Sequence, residues 1–216
     1  RMELRVADDG KATLDFSESD DQAPGPINYL VNQAVPRAMM GMYLLAGDPT
    51  LLLNSGAGRA IEEVVLREGS LLQPTWPAPL GQRGLTMMRL LSSCMGLVNA
   101  AGGESTAANC AYVIYFARGL DDQGRTFLMS DGLGVGYGAR PYADGIDSVY
   151  YIAQENFPVE MLELGYPVRI RSYGVNKDSG GPGRWRGGAG VVREVEVLAD
   201  EVTFALRIDG VAMPSW

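Results

Sequence analysis

The chain has 216 residues, 18 basic and 26 acidic side chains, a net charge of -8 and 46% hydrophobic residues, enough for a sizeable core in one large domain or two small ones. The acidic balance gives no electrostatic basis for nucleic acid or an anionic membrane as partner. Histidine is absent, which removes the commonest general base and the commonest transition-metal ligand, so serine triads, Cys-His pairs and histidine zinc sites cannot be built from this chain alone.

In chain order, MELRVADDGKATLDFSESD alternates apolar and polar residues on either side of Asp9-Gly10, which predicts a hairpin whose second strand runs from Ala12 to Phe16. The acidic run DFSESDDQ reads as a solvated turn, since its oxygens lack the converging spacing of a calcium loop. Pro24, Gly25 and Pro26 break the pattern. From Asn28, NYLVNQAVPRAMMGMYLLAG returns to helical spacing and predicts a kinked or two-piece helix, interrupted at Pro36 and closed by Gly47-Asp48-Pro49. AIEEVVLREGSLLQPTWPAP predicts a short strand and then a proline-punctuated extended run. LTMMRLLSSCMGLVNAAG predicts a second helix ending at Gly102-Gly103.

Beyond that point AYVIYFARG, RTFLMSDG, SVYYIAQ, YPVRIRSYGV, GVVREVEVLA and EVTFALRI read as strands separated by Gly, Asp and Pro turns. The expected fold class is α+β, β-rich, with mainly antiparallel strands and two or so helices in the first half. No repeat or linker composition sets a boundary, so residues 1–216 are read as a single region. The apolar stretches are too short or interrupted to span a bilayer, and no basic leader precedes an apolar segment. Cys94 and Cys110 lack zinc or disulfide-scaffold spacing and read as reduced thiols of a cytoplasmic protein. Met39, Met40, Met42, Met87 and Met88 read as core or interface filler.

Two segments are glycine-rich. Gly134 to Ala139 fits a G-x-G-x-x-A pattern, but the loop sequence RPYADG follows where a pyrophosphate-binding helix would have to start. DSGGPGRWRGGAGVVRE, residues 178–194, lacks the Gly-Lys-Ser/Thr ending of a P-loop. Both are expected to be places where backbones pack closely, with Arg184 and Arg186 as internal clamps or interface residues and no nucleotide bound.

The order of the motifs carries a resemblance. GPIN (25–28), EGSLLQP (68–74), GYGARPYADGIDSV (136–149), ENFPVEMLE (155–163), YPVRIRSY (166–173) and DSGGPGRWRGGAGVVRE follow one another as in the later half of the hydantoinase B family. Relatives of that family include parts of 5-oxoprolinase and subunits of the acetone and acetophenone carboxylases. The resemblance implies a component of an ATP-dependent amidohydrolase acting on a cyclic amide such as a hydantoin, lactam or 5-oxoproline. A hydantoinase A-like, kinase-type partner subunit would phosphorylate the carbonyl oxygen, because a lactam carbonyl is a poor electrophile and a phosphate ester supplies a leaving group. Two alternatives stand beside this: a subunit of an ATP-dependent ketone carboxylase, and a non-catalytic scaffold or interface portion of such a complex.

Family members are longer, and their histidine- and aspartate-rich metal site lies in an N-terminal half without counterpart here. With a start at Arg1 and an end at MPSW, the expectation is a C-terminal portion of a longer or split subunit, inactive alone. It would bind no cofactor itself, with ATP on the partner subunit, a divalent metal in the N-terminal half of the B-type subunit, and all three held in a hetero-oligomer.

The candidate site residues are the polar ones in the matching motifs. Arg140 and Asp144 are the catalytic candidates, a guanidinium to receive an anionic intermediate and a carboxylate to orient it. Asn28, Asn156 and Glu160 are the substrate-binding candidates. For each of these, the competing role is a turn or core hydrogen bond. Glu104, Ser105 and Thr106 match the family less well and are weaker candidates.

Overall fold

The structure, a computed structural model, describes residues 1–45, 55–102, 113–150 and 156–208. Its contacts divide the chain into two compact units, Arg1–Thr106 and Ala107–Ser215. The fold is α+β, with mostly antiparallel strands and the two longer helices in the first half.

In the first unit β1 (Glu3–Val6) and β2 (Ala12–Asp15) form the expected hairpin, with Leu4 opposite Leu14 and Gly10 in the turn at φ +82°. β3 (Ile61–Val65) joins β2 in parallel and completes a sheet ordered β1-β2-β3. Helix α1 (Ala34–Leu45) and helix α2 (Gly84–Ala100) supply the remaining apolar surface. On α2, Leu90, Cys94 and Val98 recur every fourth residue and are buried, and they join Leu14, Met40 and Ile61 in one core. Burial pushes the Cys94 thiol up to about 12. Cys110 lies outside the described residues.

The helix expected from Asn28 begins six residues later. Asn28 to Asn32 are not helical, the Tyr29 and Val31 amides donating to the carbonyls of Leu71 and Leu72 at 2.9 and 3.1 Å, and Gln33 lies in a turn. The Asn32 side-chain oxygen accepts from the Ala34 amide at 2.9 Å and starts the helix there. Pro36 therefore falls in the first turn, where its missing N–H would have had no helical acceptor, and it does not kink the helix.

In the second unit β4 (Ile114–Leu120) pairs antiparallel with β5 (Thr126–Gly132) on one side and with the last strand, Val202–Arg207, on the other. A separate antiparallel pair is formed by β6 (Val168–Val175) and β7 (Val191–Val197), so the last strand is β8. A short helix, α3 (Val159–Gly165), follows Pro158, whose φ of -56° suits a helix start. Ala117, Met129, Leu162 and Val168 form this unit's core. β8 is an edge strand: beyond β4 it meets no other strand among the described residues. Its Phe204 and Leu206 share a face with core residues yet are 51% and 67% exposed. No described helix is long and apolar enough to cross a membrane.

Candidate functional site

The two glycine-rich segments find each other in the second unit. Gly188 donates its amide to the Tyr137 carbonyl at 2.8 Å, Tyr137 donates to Ile146 at 2.9 Å, Gly145 to Arg186 at 2.7 Å and Ser148 to Ala189 at 2.8 Å. A Cβ at Gly136 would run into the Gly188 carbonyl, and one at Gly188 into the Ile146 carbonyl. Backbone therefore packs on backbone with no room for a side chain, the close approach for which these glycines were expected. Ser148 and Asp178 sit at φ 57° and 60°, left-handed positions stabilised by the surrounding bonds. The amides of Tyr137, Gly145 and Gly188 already have carbonyl partners, so this clasp offers none of them to a pyrophosphate.

Side chains lock the clasp. Arg186 reaches Asp147 at 2.9 Å, and the same Asp147 oxygen accepts the Ala189 amide at 2.7 Å. The Arg186 hydrogen bond, then the Ala189 amide, holds the Asp147 carboxyl below the usual carboxylate range. The indole N–H of Trp185 donates to the Pro141 carbonyl at 3.0 Å. Arg186 is thus the internal clamp, whereas Arg184 is exposed and makes no hydrogen bond or ion pair among the described residues.

Arg140 and Asp144 are brought together on the rim of this clasp. Residues 140–143 form a tight turn in which the Arg140 amide donates to the Ala143 carbonyl at 2.9 Å, with Pro141 at the position where a fixed φ favours turning. The Arg140 guanidinium lies 5.5 Å from the centre of the Tyr142 ring and donates through Nη2 to the Asp144 carbonyl at 3.2 Å. Its Nε is buried and has no partner. The Asp144 carboxylate accepts the Arg186 amide at 2.7 Å. Asp144 therefore ties the turn to the glycine seam, and the buried Nε–H of Arg140 is left without an acceptor.

The other candidates lie elsewhere. Asn28 is in the first unit, fully buried, with its side-chain oxygen accepting from the Ala23 amide at 2.8 Å and its nitrogen aimed at the carbonyls of Ala23, Gly25 and Pro79. It clamps the GPIN turn. Asn156 has a buried side-chain oxygen with no partner, and Glu160 is exposed in the first turn of α3. Neither makes a hydrogen bond to Arg140 or Asp144 among the described residues. Glu104, Ser105 and Thr106 fall outside them.

Reasoning from sequence missed a buried polar group. Asp131, at the end of β5, pairs with Arg193 of β7, and each side chain is 1% exposed. Asp131 also accepts the Tyr115 hydroxyl and the Gly132 amide, each at 2.8 Å. The Arg193 guanidinium stacks 4.2 Å from the centre of the Tyr173 ring, and its Nε and Nη2 have no hydrogen-bond acceptor. Burial, then the hydrogen bond to Asp131, pushes the Tyr115 phenol up to about 12. The available signal was register: Asp131 alternates with Met129 and Phe127, and Arg193 with Val195, so both were due to point inward. Among the described residues no group of three or more Cys, Asp or Glu side chains is placed to hold a metal ion.

The sequence profile described as hydantoinase B/oxoprolinase matches residues 1–216. A putative B-type subunit of a D-/L-hydantoinase from Pseudomonas sp. (strain NS671) is 31% identical over 76% of this chain and 28% of its own length. The crystal structure of the ATP-dependent caprolactamase from Pseudomonas jessenii superposes with a TM-score of 0.72 at 26% identity, over 91% of this chain and 35% of that one. A nucleotide-free acetone carboxylase shares the fold, with a TM-score of 0.66 at 21% identity over 94% of this chain and 28% of that one. The chain thus spans about a third of the length of the relatives it matches. With the profile matched from the first residue to the last, the chain belongs to the hydantoinase B/oxoprolinase family.

Proposed function

We propose that this chain is a component of an ATP-dependent amidohydrolase for a cyclic amide, a hydantoin, lactam or 5-oxoproline. It works with a kinase-type partner subunit and with the remaining portion of a B-type polypeptide. The observation that carries the reading is the likeness to an ATP-dependent caprolactamase, in sequence as well as fold, over 91% of the chain. ATP belongs to the partner and a divalent metal to the remaining B-type portion.

Within that assembly the clasp presents Arg140. Phosphorylation of a lactam oxygen gives an anionic intermediate, and the Arg140 guanidinium, whose bond to the Asp144 carbonyl leaves further N–H groups, is suited to hold it. Asp144, already bonded to the seam, positions the turn that carries Arg140. The internal bonds of both residues also support a largely positioning role for the chain, with bond-breaking groups supplied by the rest of the complex.

The test is ADP release by the assembled complex with hydantoin, caprolactam or 5-oxoproline, with and without bicarbonate. A cyclic amide is expected to stimulate ATP turnover independently of bicarbonate. Turnover requiring a ketone and bicarbonate would replace this reading with the carboxylase. Losing one charge-assisted hydrogen bond costs about 1.5–3 kcal/mol, so Arg140→Ala is expected to lower kcat/KM by about 10- to 100-fold. An unchanged value would remove Arg140 from the site.

A further inference from the structure

The first unit carries a groove of about 630 Å³ that the clasp does not involve. Residues 63, 64, 65 and 66 line it consecutively. A groove over a face of β3 would be lined by alternate residues, so this one follows the strand's edge. β3 pairs with β2 on its other side only, and this edge meets no strand among the described residues. Gln33 and the run Gln73-Pro74-Thr75-Trp76 also line it, and Trp76 is 92% exposed. Glu63 and Glu68 are exposed in the groove and make no ion pair among the described residues, and no lysine or arginine lines it. The neighbouring Glu62, by contrast, is held by Lys11 at 2.8 Å.

We propose that this groove receives an extended segment of a partner polypeptide that adds to β3 as a further strand and carries arginine or lysine at alternate positions. The open edge supplies amides and carbonyls for pairing. Side chains on one side of an added strand recur every second residue, so alternate basic groups would meet Glu63 and Glu68, and one would lie over the Trp76 ring. Charge decides among occupants. Two carboxylates without counter-ions favour a cationic segment, and a second copy of this chain, with a net charge of -8, would be repelled.

The probe is a fluorescein-labelled Val-Arg-Val-Arg-Val-Arg peptide, its anisotropy followed on titration with the 216-residue chain at low and at physiological salt. Binding is expected and should weaken with salt. It should weaken about three- to tenfold with Trp76→Ala and with Glu63→Gln combined with Glu68→Gln, all exposed positions whose replacement leaves the core intact. A peptide with Glu for Arg, and one with Pro for the middle Val, should not bind. Undetected binding of the arginine peptide, or a change below about twofold in both variants, would overturn the proposal. So would a homodimer, seen by sedimentation, that Trp76→Ala dissolves, because the groove would then belong to a second copy. Family membership and the Arg140 assignment do not depend on any of these results.

Discussion

Replacing Gly188 with alanine probes the clasp where backbone from both its glycine-rich segments meets. The added Cβ would enter the Ile146 carbonyl on one side and stand 2.9 Å from the Tyr137 amide nitrogen on another. Both neighbours are backbone, so no rotamer change relieves the contact. If the seam yields locally, the loss is that of an overpacked core, about 1–3 kcal/mol. If it parts, the bonds from Gly188 to Tyr137, Gly145 to Arg186, Ser148 to Ala189 and Ala189 to Asp147 go with it, at about 0.5–1.5 kcal/mol each, or about 2–6 kcal/mol together. An intermediate loss of about 2–5 kcal/mol is expected. Gly174→Ala, where a Cβ meets nothing within 4 Å, is the control and should stay within about 0.5 kcal/mol. Urea unfolding gives the totals, and amide hydrogen exchange over residues 134–149 and 178–190 locates the change. Equal stability of the two variants, with protection of the Gly145 and Ser148 amides retained, would refute the close packing of these segments.

Asp131→Ala leaves the Arg193 guanidinium buried without its carboxylate and is expected to cost about 3–5 kcal/mol, whereas Asp131→Leu with Arg193→Met should recover most of that loss. The urea midpoints of the two variants, compared at equal m-value, check this. Alkali should also destabilise the fold. Tyr115 and Cys94 are raised from 10.0 and 9.0 to about 12, so the stability held by their neutral forms is complete below those ordinary values and is lost as the pH climbs toward 12. Tyrosinate absorbance should show a late-titrating phenol that Tyr115→Phe removes, and peptide mapping after iodoacetamide at about pH 8 should find Cys94 unmodified; prompt alkylation of the folded chain would contradict its burial.

The hairpin, α2 and the strands β4 to β8 were legible because each rests on a local period, two for a strand and 3.6 for a helix, while the strand expected over SVYYIAQ lies largely outside the described residues. Residues 28–33 misled because Leu30 and Val31 lie four residues before Ala34 and Val35 and so extend the helical stripe, while the pairing of Tyr29 and Val31 with Leu71 and Leu72 lies some forty residues away. Seven-residue α3 is too short to establish a period. In the clasp, glycine content announced close packing, but the partner of Gly136 is Gly188, and local composition cannot select one distant backbone among many. Arg193 shows the same limit: alternation turns it inward, and only the folded sheets supply Asp131. Of the candidate residues, Arg140 and Asp144 were recognisable as neighbours because they flank one tight turn.

Strand β8, whose outer edge meets no strand among the described residues, governs how this polypeptide behaves in a test tube. Sheet edges in soluble proteins are usually guarded by lysine, proline or a bulge, and VTFALR has none of these, its one charge, Arg207, being buried. With Phe204 and Leu206 turned to water, concentrated samples of the chain alone will tend to stack edge to edge into precipitate. Co-production with whatever polypeptide shields that edge, or a lysine placed at 206, is the route to a tractable preparation.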